Sequence, residues 1–169
     1  MRIVDLTHGV NRKNVTGDVI PVVVRSADPI SRIALDDLVT LATVVDLTDR
    51  ADETEISLGD ISKTGVADIG GCILHTDWCD HYISGLRTKS PVLTIGAASY
   101  LLQGGVRTIA SDFPITTEAA DLLIHNNCIL VHCLSNIGEL CKSIVRLVAL
   151  PLKVDDVYSA EARVIAIEE

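Results

Sequence analysis

Apolar residues fall in short runs separated by polar turns along most of this chain, and the period of the runs changes from strand-like to helix-like and back. Residues 2–6 (RIVDL) alternate and are β-branched enough for a strand, and 20–25 (IPVVVR) read as a second, with Pro21 tolerable at a strand start or edge. Residues 43–47 (TVVDL) are a short apolar run that suits a buried strand. Ser57 followed three positions later by Asp60 is a capping pattern for one helical turn over 57–61, closed before Gly65. From residue 68 onwards strands and helices alternate. Strands are predicted at 72–76, 107–110, 128–132, 144–150 and 163–167. Between them, 95–103 carry Ala98, Leu101 and Leu102 at helical spacing, with Thr94 as N-cap and Gly104 as stop. Residues 116–125 repeat that stripe through Ala119, Leu122 and Leu123, and 137–141 form a short helix. Such close alternation implies right-handed crossovers and at least three parallel strands, with any ligand at their carboxyl ends.

Composition narrows the class. With 169 residues, 48% of them hydrophobic, the chain can bury one core, and no Pro/Gly/Ser-rich linker divides it, so 1–169 is expected to be a single domain. Aromatic residues are scarce at 3%, which predicts a core packed by aliphatic side chains in layers. The longest apolar runs, 128–131 and 144–150, fall well short of the ~18 residues a membrane helix needs. The opening MRIVDLTHGV places Asp5 soon after a single Arg and has no small-residue cleavage site, so no signal peptide is expected and a soluble, cytoplasmic protein follows. A net charge of -9 with scattered Lys and Arg argues against a nucleic-acid partner. The five cysteines are odd in number and mostly sit in apolar segments, which suits reduced, buried thiols.

The chemistry-bearing stretch is IGGCILHTDWCDHY at 69–82, answered by GGVRTIASDFP at 104–114. It reads as a buried strand ending in a polar loop with Trp78, then a helix, then a second buried strand ending in Asp112 and Pro114. This pair resembles the middle of the cyclase family of arylformamidase-like metal-dependent hydrolases, roughly GDxVLLxTGWxxxW followed by GVxLVGxDxPS. IVDLTHGV at 3–10 is similar to the family's opening YDLSHPI, residues 33–47 to its LPLDRLVGPAVVVDLS stretch, and ALPLKV with ARVIAI within 144–167 to its closing strands. The resemblance implies an α/β fold of the swivelling β/β/α type, a mixed sheet with flanking helices, assembled as a homodimer or homotetramer. It also implies a zinc or manganese ion, held by the His and Asp of HxGTHxDxPxH with a later His and Glu, whose hydroxide attacks an amide or lactam carbonyl such as that of N-formylkynurenine.

That signature is absent. Its place is taken by NVTGDVIPVVV at 14–24, where anchoring on Pro21 sets Val23, Val19 and Gly17 at ligand positions, and only a one-residue slip brings Asp18 in as a carboxylate. The later ligand His falls at Ala119 or Ala120, and the Glu of IVENL is replaced by His132 in LVHCL. No cofactor is therefore expected.

Several side chains remain as candidates. His75, Cys79 and His81, with Cys128, His132 and Cys133, would be a Cys/His zinc set, but the spacing is not a paired CxxC knuckle and core or rim roles are preferred. His132 at a strand end is the catalytic candidate as a general base; the alternative is a histidine bonded to a backbone carbonyl. Cys133 as nucleophile is disfavoured, because neighbours in a regular strand point to opposite faces. Cys79 and His81 share a face only if the strand extends that far. Asp112 faces a pocket or caps the helix that starts at 116; Trp78 walls that pocket or packs at a subunit edge; His8 is in a position that is structural in relatives. Gly104 and Gly105 are a helix stop, not a phosphate loop. The leading expectation is a family member with a degenerate metal site, whose small-molecule pocket involves Trp78, Asp112, Asp18 and His132, or which acts as a structural partner of another subunit. The alternative is a working hydrolase of amide or lactam bonds whose zinc or manganese is held by His132, Asp18 and a neighbouring protomer's residue.

Overall fold

The computed structural model describes residues 1–9, 22–50, 54–66, 69–86, 89–115 and 117–169. In chain order its elements are β1 (Arg2–Asp5), β2 (Val23–Arg25), α1 (Leu35–Leu38), β3 (Val39–Asp46), β4 (Glu55–Ile56), α2 (Leu58–Ser62), β5 (Gly70–His75), α3 (Trp78–Ile83) and β6 (Val92–Leu93). Then follow α4 (Ile95–Gln103), β7 (Thr108–Ser111), α5 (Thr117–His125), β8 (Ile129–His132), β9 (Ile144–Pro151) and β10 (Ser159–Glu168), with 3-10 turns at Ile30–Arg32 and Ile137–Glu139.

Strands β3, β5, β7 and β8 run parallel, in the spatial order β8-β7-β5-β3. Antiparallel pairings of β8 with β2, β2 with β10, β10 with β9 and β9 with β3 close the sheet on itself. The long β10 makes closure feasible: residues 162–167 bond β9 on one side, while its other edge takes β2 near residue 160 and β1 near its end. β4 and β6 form a separate two-stranded parallel sheet.

The two-residue period of the strands divides the core in two. Ile73, Ala110, Val131 and Ala42 point inwards to meet Val24, Leu147, Val164 and Ala166. Their neighbours Cys72, Leu74, Ile109 and Leu130 point outwards, onto Ala97, Ala98 and Leu101 of α4 and Ala119, Ala120 and Leu123 of α5. Small side chains on the helix faces let these helices lie close to the sheet. This is the mixed α/β architecture with flanking helices that the resemblance implies.

Local signals set several boundaries. Thr94 Oγ1 accepts from Ala97 N at 3.2 Å, and Gly104 ends α4. Ser57 and Asp60 form the reciprocal capping box of α2, with Asp60 Oδ2 accepting from Ser57 N at 2.9 Å. Three predicted elements change extent: β3 begins at Val39 rather than 43, β10 begins at Ser159 rather than 163, and 137–141 reduces to a 3-10 turn. β3 lengthens because β9 pairs with it from Val39 to Thr43, and β10 because β2 pairs with Ser159 to Glu161 before β9 takes over at Ala162. Segment 76–83, read as a polar loop, contains α3.

Candidate functional site

The four parallel strands end at one rim, and the polar residues of the sequence collect there. β5 stops at His75, and Asp77 takes a left-handed backbone conformation (φ 60°), one that Asp adopts more readily than most residues, to turn the chain into α3. The turn is held from β7. Asp112 Oδ2 accepts from Thr76 N at 2.8 Å and from Trp78 N at 3.2 Å, and Oδ1 accepts from Thr76 Oγ1 at 2.8 Å. Asp112 is 2% exposed. Burial pushes its carboxyl up to about 6, against these hydrogen bonds and the nearby His75, which pull the other way. Asp112 is thus a helix cap, but of α3 and not of the helix that follows it in sequence.

Trp78, at the start of α3, is 3% exposed; its Nε1 donates to Lys89 O at 2.9 Å and its ring stacks on Tyr82 with centroids 4.8 Å apart. Trp78 and Asp112 therefore sit together, as a braced, buried hinge between β5 and β7.

His132 makes its contacts elsewhere. Opposite Val23 of β2, its Nδ1 accepts from Ile115 N at 3.3 Å, so its backbone partner is an N–H and not a carbonyl. Burial and the charge of Arg25 push the imidazole down to about 4, which leaves it neutral near pH 7. Asp18, the remaining ligand candidate, lies outside the described residues.

Burial keeps four of the five thiols, those of Cys72, Cys79, Cys128 and Cys133, protonated. Cys133 leaves the regular strand with φ 63°, yet it is 1% exposed and burial pushes its thiol up to about 12. Burial raises Cys79 as well, and its Sγ lies 3.6 Å from Cys133 O. Cys72 and Cys128 are pushed up to about 12 and about 11; Cys141 is exposed. The strand does not persist to Cys79 and His81. Both are in α3, where residues two apart do not share a face.

One pairing was not anticipated. His75 Nε2 lies 2.7 Å from Asp77 Oδ1, with side chains 12% and 39% exposed. The chain after β8 folds over this pair: Asn136, also left-handed (φ 58°), donates through its N–H to Asp80 Oδ2 at 3.1 Å and through Nδ2 to Asp5 O at 2.9 Å. That sets Gly138 above the dyad, where a Cβ would lie 3.7 Å from both Asp77 Oδ1 and His75 Cε1. Beside it opens a cavity of about 310 Å³ lined by Asp46, His75, Gly138, Cys141, Lys142 and Ser143, among others. The sequence signal for the pair was the His-x-Asp spacing at 75–77.

Could these residues hold a metal? Among the described residues, no three His, Cys, Asp or Glu side chains converge as an ion requires. Among the described residues, His8 through both ring nitrogens, His81 through Nδ1 and Ser135 Oγ are buried without hydrogen-bond partners, but two imidazoles fall short of the three or four ligands of a zinc site and bring no carboxylate for manganese. The rim carboxylate Asp112 is already saturated by N–H and O–H donors. The described residues do not fit a zinc or manganese centre.

Solved structures share this fold along nearly the whole chain. Isatin hydrolase A from Labrenzia aggregata matches with TM-score 0.81 at 17% identity, over 99% of this chain and 94% of its own. A potential metal-dependent hydrolase with cyclase activity matches with TM-score 0.79 at 19% identity, covering 98% and 96% of the two chains. A predicted metal-dependent hydrolase from Bacillus stearothermophilus gives 0.77 at 19%, covering 98% and 97%. At such identities the likeness is one of fold. No curated protein matches in sequence. Residues 4–129 match the family described as "Putative cyclase", and the chain belongs to that family.

Proposed function

We propose that this cyclase-family protein has a degenerate metal centre and acts as a small-molecule-binding or structural protein rather than as a metal-dependent amide or lactam hydrolase. The observation that carries the reading is the state of Asp112. The carboxylate at the family-like DxP strand end is buried and saturated by Thr76 and Trp78, so it braces the fold instead of facing a substrate. His132, standing where the family has Glu, supports the same reading, because its Nδ1 lone pair is taken by Ile115 N.

Assembly as a homodimer or homotetramer accords with apolar side chains left in water: Leu35, Leu152 and Tyr158 are 68%, 78% and 55% exposed. Four buried thiols suit a reducing, cytoplasmic setting.

The test is metal content of the purified protein, measured with hydrolysis of N-formylkynurenine and of isatin, the latter chosen because isatin hydrolases share the fold. Substoichiometric zinc and manganese and no turnover of either compound are expected. One ion per chain that is lost in His132→Ala, together with hydrolysis, would overturn the proposal.

A further inference from the structure

We propose that the apolar ridge at residues 150–152, where β9 ends, forms a two-fold interface with a second copy of this chain, in which Lys153 of each copy faces Glu161 of the other. This interface rests on the homo-oligomeric assembly proposed above and names the surface that assembly uses.

Strand period creates the ridge. Val145, Leu147 and Ala149 of β9 point into the inner core, so Leu150 points outwards, where a solvated strand end would carry a polar side chain. The chain leaves the strand after Pro151 with Leu152 and Val154 exposed. Further along this connection, Val157 O accepts from Ile30 N at 2.8 Å and Tyr158 O from Ser26 N at 3.1 Å. These bonds tie the connection to the segment that carries the first 3-10 turn, so little ordering remains for a partner to impose. Leu35, Leu150, Leu152, Val154 and Tyr158 each keep between 42% and 78% of their surface in water. Together they expose ~500 Å² of mostly apolar area, more than half of the ~800 Å² that each partner of a stable dimer buries.

Shape and charge select a second copy as the occupant. A groove of about 220 Å³ on one side of the ridge is lined by Ile33, Leu35 and Lys153, and one of about 440 Å³ on the other by Leu152 and Glu161, while Leu150 and Pro151 line both. A face that carries ridge and groove together is complementary to itself, as a two-fold contact requires, whereas a peptide would need only a groove. A two-fold axis parallel to the ridge exchanges its two sides and sets Lys153 of one copy against Glu161 of the other, twice per dimer. Among the described residues neither Lys153 nor Glu161 has an ion-pair partner within the chain, and Arg163, on the Glu161 side, is taken by Asp5. Two chains of net charge -9 repel at a distance, and this pairing of opposite charges opposes that repulsion where they meet.

Sedimentation velocity of the full-length chain through a dilution series tests the interface, with thermal unfolding recorded for every variant. Wild type is expected to be a reversible oligomer. Leu152→Glu is expected to weaken self-association at least ~100-fold and Lys153→Glu ~10-fold, whereas Lys153→Glu combined with Glu161→Lys returns to within ~3-fold of wild type. A wild-type tetramer that Leu152→Glu reduces to a dimer supports the interface equally. A wild-type chain that stays monomeric at every concentration overturns both the interface and the homo-oligomeric assembly, and leaves the ridge to a different protein. An oligomer unchanged by Leu152→Glu and Lys153→Glu overturns the interface alone. A double variant as weak as Lys153→Glu overturns the Lys153–Glu161 pairing and with it the two-fold arrangement. Should Leu152→Glu fail to fold, Lys153→Glu and its charge reversal decide.

Discussion

Asp112 grips Thr76 at two points, Oδ2 on the backbone N–H and Oδ1 on the hydroxyl, both at 2.8 Å across a separation of 36 residues. The contact fixes where β5 stops. With Thr76 held against the end of β7, the chain must turn at Asp77, and the same carboxylate receives the first N–H of α3. The turn in turn sets Asp77 within reach of His75, so that pair depends on a buried carboxylate that is not part of it.

Asp112→Ala is expected to cost about 3 kcal/mol, because it removes a charged acceptor from two backbone N–H groups and a hydroxyl at a buried position. Asp112→Asn keeps one acceptor and is expected to cost less. Urea unfolding followed by Trp78 fluorescence measures this well, since Trp78 is the only tryptophan and donates to the Lys89 carbonyl beside the same turn. A loss under about 0.5 kcal/mol for the alanine variant would show that the contact does not hold α3.

The rim also gives two opposed pH dependences. His132 has a folded value of about 4 against a usual 6.5, so its contribution to stability is fully present above pH 6.5 and is lost as the pH falls through 4. Asp112 has a folded value of about 6 against 3.8, so its contribution is fully present below pH 3.8 and is lost as the pH rises through 6. Relative to wild type, His132→Gln should gain stability steadily from pH 7 to 4, by at most about 3 kcal/mol. Asp112→Asn should lose ground over the same range. Parallel stability curves for wild type and either variant would refute the corresponding shift.

What was legible in the sequence follows from where each element's cause lies. α4 could be bounded from Thr94 and Gly104 because its cap and stop are its own neighbours, and the Ser57–Asp60 box marked α2 for the same reason. The alternation Cys72-Ile73-Leu74 marked a strand buried on both faces. α3 was not legible, since its cap comes from Asp112 in another strand. The position of His132 could be placed at a strand end, but not its bond to Ile115, which depends on how the chain leaves β7. The His75–Asp77 pair was hidden by reading 75–77 as strand and loop, when a left-handed Asp77 brings the two side chains together.

Gly71 separates close packing from mere smallness. A Cβ there would lie 2.7 Å from Leu41 O and 2.9 Å from Ala42 Cβ, contacts between neighbouring strands that cannot relax without moving β3. Gly71→Ala is therefore expected to cost more than ~2 kcal/mol, whereas Gly138→Ala, with ordinary 3.7 Å contacts, is expected to cost less than ~1 kcal/mol. Thermal or urea unfolding of the two variants checks the contrast, and equal losses would mean that the β3–β5 spacing is softer than these distances imply.

Two buried hydroxyls make the same chemical deletion with opposite sign. Ser135 is 2% exposed, and although its N–H donates to Leu6 O at 3.0 Å, its Oγ has no partner among the described residues. A buried hydroxyl without a partner keeps its desolvation penalty and recovers nothing, so Ser135→Ala is expected to leave stability unchanged or raise it by up to ~1 kcal/mol. Thr76 is fully buried too, but its Oγ1 donates to an ionisable carboxyl at 2.8 Å. Thr76→Val preserves the shape and removes that bond, which strands one oxygen of Asp112, and a loss of ~2 kcal/mol follows. Urea midpoints at unchanged m-value distinguish the two cases. A Ser135→Ala variant that loses as much as Thr76→Val would mean that the Ser135 hydroxyl has a partner in solution, such as a buried water.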